Sequence, residues 1–489
     1  MSSTVTKAEQ EEKKVNLPQA LIILGVSVAI MAVFARNSGD LRIAVLMSWV
    51  VMYFACLILK INWDTIFKGG LASIHSAFGA IVILMLVGAV VGAWMSSGTI
   101  AYAIRLGLQI VHPRYFFVTA LIICSLMSSF TGTSMGSAAT AGVAMASIGA
   151  VMGMPVGITA GAVICGSLFG DKMSPLSDTT NMAPALTGGN LFRHIQAMLY
   201  TTLIPFIFCI FFFLFLGFRH YTAGGAELLG DVYETIAVLN ASFNMSPILL
   251  LPLVVVIVLL LCKVSVVPAL LISALTGVGL AWLYQGVDLI PALSIMYRGN
   301  TISTGNYLVD RTLGAGGMIS MNANVILMII AVGMGGMFEK MGVLSALINP
   351  ILGKLNSVTK MVAAAMGISY LTGALTTTMT ASIVITGRVL AQPFRDKGVA
   401  PEVLSRAVED CGTMGCPLIP WHVMVVFFTG ILGATWTEFV LYVPLSWMAP
   451  IFGILCAITG KGIWYVNKEG QRISKAEHRA LYTGASALK

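Results

Sequence analysis

Charge is what this sequence has least of. Of its 489 residues, 10% are Asp, Glu, Lys or Arg and 57% are hydrophobic. A soluble domain carries about a quarter charged residues, so water is excluded as the main solvent. Alternating apolar and polar segments are missing as well, which removes the strand signature of a transmembrane barrel. The eight cysteines (Cys56, Cys124, Cys165, Cys209, Cys262, Cys411, Cys416 and Cys456) form no C-x-x-C and have no histidine-rich companion spacing. They read as packing residues and not as zinc or redox motifs. The net charge of +8 sits in tails and loops, as topology determinants do, and not on a nucleic-acid-binding face. Met1 to Asn16 mixes three lysines with three glutamates before the first apolar run. A second run follows at once, so the N-terminus reads as an uncleaved anchor and not a signal peptide.

What fills the chain is a succession of apolar runs, several approaching the roughly 20 residues a helix needs to cross a hydrocarbon core. In lipid, such runs satisfy their backbone only as helices. The sequence therefore predicts an all-α polytopic membrane protein of about 10–12 transmembrane helices, with membrane lipid as solvent and partner. Gly, Pro, Ser and Thr clusters mark broken helices and re-entrant hairpins. Residues 1–16 read as a cytoplasmic tail, 17–218 as a first transmembrane half, 219–245 as an external linker loop, 246–460 as a second half, and 461–489 as a basic cytoplasmic tail. The sides follow from Lys468, Arg472, Lys475, Arg479 and Lys489 in that tail and from Glu227, Asp231 and Glu234 in the linker.

The halves resemble each other at an offset of 241 to 243 residues. Val82-Ile83-Leu84-Met85 recurs as Val325-Ile326-Leu327-Met328, and Gly92 matches Gly335. Ser128-x-x-Thr131-Gly132 recurs as Ser369-x-x-Thr372-Gly373, and Gly170 with Pro175-Leu176 as Gly412 with Pro417-Leu418. The pattern implies a duplicated unit, residues 41–218 and 283–455, with the copies inverted across the membrane and a binding site at their interface.

Most acidic residues lie in tails or loops. Asp171, Asp178, Glu409 and Asp410 do not; they flank the broken segments of the repeats. A carboxylate in the bilayer costs at least about 2.5 kcal/mol and normally lines an ion or proton pathway. Around the first pair runs Gly170-Asp171-Lys172-Met173-Ser174-Pro175-Leu176-Ser177-Asp178-Thr179-Thr180-Asn181. Pro175 removes one amide and disfavours helix at Ser174, freeing backbone carbonyls. Carboxylates, hydroxyls, an amide and free carbonyls are the oxygen ligands a hard cation wants. Asp171, Ser174, Ser177, Asp178, Thr179 and Asn181 are accordingly the candidate ion ligands, with sodium held by Asp171 and Asp178. Lys172 would either neutralise the empty site or snorkel to the interface.

In the second half, Asp410 and Thr413 are the counterparts, before Pro417. Glu409 ranks behind them because Arg406, three and four residues before the two carboxylates, would pair with them if they shared a helix face. Thr131, Thr133, Ser134, Thr372 and Thr376 interrupt apolar runs as further ligands or as helix-packing hydroxyls. His422 would relay protons or simply pack. Gly132-Thr133-Ser134-Met135-Gly136 fits G-x-S-x-G, but a nucleophile elbow needs a preceding strand and a partnered histidine, and the segment reads as helix. A hydrolase is therefore set aside in favour of transport, and no cofactor is expected beyond transported sodium and protons.

The stretch Gly170 to Pro184, G-D-K-M-S-P-L-S-D-T-T-N-M-A-P, together with P-L-I-P-W at Pro417 to Trp421, resembles the NhaC sodium/proton antiporter family over essentially the full chain. The resemblance implies inverted repeats with hairpins and discontinuous helices, frequent homodimers, and sodium/proton antiport by alternating access. That family also contains malate/lactate antiporters and amino-acid transporters, so an organic solute stays open as the alternative cargo.

Overall fold

A computed structural model describes residues 14–38, 40–224, 236–302 and 316–482, with residues 304, 310 and 314 between the last two segments. Glu227, Asp231 and Glu234 of the expected linker, and most of the expected N-terminal tail, lie outside the described residues.

The chain is almost wholly helical. Its first half contains α1 (Leu17–Ser38), α2 (Leu41–Leu59), α3 (Trp63–Ser96), α4 (Thr99–Ile110), α5 (Phe116–Thr131), α6 (Ser134–Val151), α7 (Val156–Met173), α8 (Asp178–Thr187) and α9 (Leu191–Gly224). The second contains α10 (Leu251–Leu261), α11 (Val266–Leu283), α12 (Leu289–Arg298), α13 (Asn322–Met341), α14 (Val343–Leu352), α15 (Val358–Thr376), α16 (Met379–Asp396), α17 (Pro401–Gly412), α18 (Val423–Leu432) and α19 (Pro444–Thr459). A small extramembrane unit follows: a hairpin of β1 (Tyr465–Val466) and β2 (Arg472–Ile473), then α20 (Lys475–Tyr482). Among the described residues, nine helices are long and apolar enough to cross a membrane, or twelve if each of three bent pairs is one span. Pro401–Leu418 with Val423–Leu432 is such a pair, bent by 46°.

Elementary rules explain the boundaries. Asn62 accepts from the amides of Asp64 and Thr65 and so starts α3. Thr133 and Thr378 cap α6 and α16 in the same way, accepting from Gly136 and Ala381. Where α3 crosses α13 there is no room for side chains: a Cβ on Gly70 would stand 3.0 Å from the Gly333 carbonyl oxygen. Small residues let two membrane helices approach in this way.

The duplication has a structural counterpart. Ser128 of α5 donates to the Ser167 carbonyl of α7 (2.6 Å), and Ser369 of α15 donates to the Val408 carbonyl of α17 (2.7 Å), each across 39 residues. Ser137 bonds the Cys124 carbonyl and Ser382 the Ser369 carbonyl, each across 13 residues. In one respect the sequence alignment needs correction. The first break turns at Gly132 (φ +67°) and the second at Thr377 (φ +62°), not at Gly373. Gly373 lies inside α15, one turn before the break, because that helix runs longer than its partner; a Gly-for-Gly match misplaced it.

The apolar core falls into two clusters. One gathers α5, α6, α7 and α18 with the ends of neighbouring helices; the other gathers α1, α2, α14, α15, α16 and α17. Thus the buried apolar residues of α7 fall in one cluster and those of α17 in the other, with α13 contributing to both.

Candidate functional site

The α7–α8 break is stapled by its own polar side chains. Ser174 donates to the Ser129 carbonyl (2.7 Å), Thr180 to the carbonyls of Asp171 (3.3 Å) and Lys172 (3.1 Å), and Asn181 to those of Pro175 (2.8 Å) and Ser177 (2.7 Å). These are the backbone acceptors that the end of a helix leaves unpaired. The break also touches the α5–α6 break. A Cβ on Gly132 would lie 2.6 Å from the Leu176 carbonyl carbon, so both the positive φ and the contact require glycine there.

The carboxylates are placed unequally. Asp171 is buried at the end of α7, and its Oδ2 accepts from Ser134 Oγ at 2.7 Å. Asp178 is exposed in the first turn of α8, beside the Ser177 hydroxyl, which meets the Thr179 hydroxyl at 3.1 Å. Glu409 and Asp410 occupy the last turn of α17, both with 0% exposure. Asp410 Oδ1 accepts from Lys172 Nζ (2.5 Å) and from Thr201 Oγ1 (2.8 Å) of α9, while its Oδ2 has no partner. Both carboxylate oxygens of Glu409 are buried without a hydrogen bond. Glu409 lies within electrostatic reach of Asp171.

The alternative reading, a pairing of Arg406 with Glu409 or Asp410, is not what the helix makes. Arg406 is fully buried and turns its guanidinium to the carbonyls of Gly462 (2.9 Å) and Ala197 (3.5 Å), away from both acids. His422 caps α18, its Nδ1 accepting from the Met424 amide at 3.1 Å. Lys172 does not snorkel; it spans the two halves. The remaining hydroxyls divide by task. Thr131, Thr376 and Thr413 bond carbonyls one turn back on their own helices. Thr372 and Thr377 keep buried hydroxyls with no partner. Ser134, the serine of the G-x-S-x-G match, follows a helix and bonds a carboxylate.

Of the oxygens of these three buried carboxylates, Asp171 Oδ2 bonds Ser134, Asp410 Oδ1 bonds Lys172 and Thr201, and Asp410 Oδ2 and both Glu409 oxygens have no partner. Among the described residues no three His, Cys, Asp or Glu side chains converge into a metal cluster. A monovalent cation needs less: one or two of these acids together with neighbouring hydroxyls and freed carbonyls. Sequence reasoning missed Thr201 and His194, both on α9. His194 Nε2 stands 3.8 Å from Glu409 Oε1. The available signal was spacing: His194 and Thr201 share one face of α9, seven residues apart.

Comparison with known proteins points to one group. Residues 166–461 match the Na+/H+ antiporter family. The chain is 34% identical over 457 residues to the Na(+)/H(+) antiporter NhaC of Alkalihalophilus pseudofirmus, covering 92% of this chain and 97% of that one. It is 32% identical over 468 residues to the malate-2H(+)/Na(+)-lactate antiporter of Bacillus subtilis, covering 95% and 99%. It is 30% identical over 400 residues to the arginine/ornithine antiporter ArcD of Halobacterium salinarum, covering 82% of each chain.

Proposed function

The chain belongs to the Na+/H+ antiporter family, and from that premise we propose that it exchanges sodium for protons by alternating access at the acids gathered between α7 and α17. One observation carries this reading above the others: Lys172 of the first half and Asp410 of the second pair in a buried site, on helices whose apolar residues fall in different core clusters. Motion of one helix against the other remakes that contact, as alternating access demands.

In this reading sodium and protons compete for the same oxygens. A buried carboxylate must be met by a proton, a cation or a cationic side chain. Lys172 compensates Asp410 while the site is empty; Asp171, oriented by Ser134, and Glu409 take the incoming ion. Asp178, exposed, stands at the approach to the site. The cargo is sodium and protons, and no cofactor takes part. Both termini lie on the cytoplasmic side, following the basic tail; the repeats are inverted, and the protein assembles as a homodimer in lipid.

The test is direct. Sodium added to reconstituted protein under an imposed pH gradient dissipates that gradient. If neither sodium nor lithium does so while malate, lactate or an amino acid does, solute exchange is the function instead. The similarity to a malate/lactate antiporter, together with a buried lysine able to meet a carboxylate group, makes that the second reading.

A further inference from the structure

Helix α9 crosses the membrane with a proline inside it. Pro205 is buried within the helix, and a proline has no amide to give to the carbonyl four residues back. That carbonyl belongs to Thr201. In membrane helices a carbonyl freed in this way is ordinarily met by a nearby Ser or Thr hydroxyl, but the side chains from Leu203 to Ile210 include no hydroxyl and no amide. Thr201 and Pro205, four residues apart, share one face of α9. It is the face that meets α17, because Thr201 Oγ1 donates to Asp410 Oδ1 at 2.8 Å.

Asp410 is bonded through one oxygen only. Its Oδ1 takes both Lys172 and Thr201, whereas its Oδ2 is buried without a partner. Beside that oxygen α19 presents bare backbone: a Cβ on Gly453 would stand 3.2 Å from Oδ2. Thr202, next to Thr201 and fully buried, also keeps a hydroxyl without a partner. A threonine inside a helix can give its proton to a carbonyl one turn back, as Thr131, Thr376 and Thr413 do here; Thr202 does not. Helix α9 thus brings a main-chain carbonyl and a spare hydroxyl to the carboxylate whose second oxygen is unmet. Oxygens of these three kinds are what a hard cation takes as ligands.

Resting on the sodium/proton reading above, we propose that α9 is a third wall of the cation site, and that the main-chain carbonyl of Thr201, freed by Pro205, binds sodium together with Asp410 Oδ2. The Thr202 hydroxyl is a further oxygen of the same wall, and the Thr201 hydroxyl holds Asp410 in place beside it. Pro205 is a positioning residue, acting through the carbonyl from which it withholds an amide. A second proline supplies the contrast. Pro450 of α19 frees the carbonyl of Ser446 in the same way, but Ser446 lies seven residues, about two turns, before Gly453 and so away from Asp410.

The experiment measures sodium binding to the purified full-length protein by calorimetry, its melting temperature without sodium, and sodium-driven proton movement in proteoliposomes, for the wild type, Pro205→Ala and Pro450→Ala. Alanine at 205 returns an amide to the Thr201 carbonyl. Pro205→Ala should therefore bind sodium about tenfold or more weakly, and it should need correspondingly more sodium for half-maximal transport with a smaller change in maximal rate. Its sodium-free melting temperature should be no lower than that of the wild type, since alanine is the better helix former. Pro450→Ala should bind sodium within about twofold of wild type, as a distant and independent site does. Pro205→Gly restores the same amide in a more pliable backbone and carries the test if the alanine variant does not insert. Wild-type sodium affinity in the Pro205 variant, or an equal loss in the Pro205 and Pro450 variants, overturns the α9 wall and leaves the exchange reading standing. A wild type that neither binds sodium nor moves protons with it overturns both.

Discussion

Lys172 Nζ meets Asp410 Oδ1 at 2.5 Å across 238 residues of sequence, with side-chain exposures of 1% and 0%. A buried pair of this kind contributes little net stability, but removing one partner strands the other charge at a cost of about 3–5 kcal/mol. Lys172→Met should therefore unfold in detergent at markedly lower temperature than wild type. Sodium should also stabilise it more than it stabilises the wild type, because a bound cation replaces the missing ammonium near Asp410. A thermal-shift series with and without sodium reads this; equal sodium stabilisation in both proteins would count against a cation site at Asp410.

Asp171 and Asp178 are separated by burial. Asp171→Asn removes a buried charge that Ser134 orients, so sodium-driven proton movement should be abolished while the protein still folds. Asp178 is exposed, and Asp178→Asn should keep most of the rate, with a modest rise in the sodium concentration for half-maximal transport. Transport rates at limiting and saturating sodium decide this; equal losses in the two variants would restore Asp178 to the centre of the site.

Ser134→Ala tests the orientation of Asp171. A hydrogen bond to a charged group contributes about 1.5–3 kcal/mol, so the variant should need roughly tenfold or more additional sodium for half-maximal transport, with a smaller change in maximal rate. Ser134→Thr keeps the hydroxyl and should recover much of the affinity.

Gly132 is the tightest joint of the first half. Gly132→Ala places a methyl 2.6 Å from the Leu176 backbone at φ +67°, and the left-handed conformation alone costs about 1–2 kcal/mol. Yield and thermal stability should fall sharply. Gly367→Ala, in a helix with nothing within 4 Å of the new methyl, should leave both unchanged. Melting curves of the two purified variants make the comparison.

The sequence alone determined that lipid is the solvent, because a chain with 10% charged residues cannot cover itself for water. It located the broken elements, because Pro175 and the Gly132 turn act on their own local backbone. It also singled out Asp171, Asp178, Glu409 and Asp410 among twenty acids, since a carboxylate next to an apolar break is costly if buried, but it did not separate exposed Asp178 from the three that are buried. Tertiary structure decided the partners. Asp410 is bonded to Lys172 and Thr201, Glu409 faces His194, and Arg406 turns from both acids to backbone carbonyls. No helical spacing encodes contacts across more than two hundred residues. Helix-face arithmetic placed Arg406 beside its neighbours, but a buried guanidinium follows the nearest unpaired carbonyls. Only the packing of α9 and of the turn at Gly462 against α17 sets which those are.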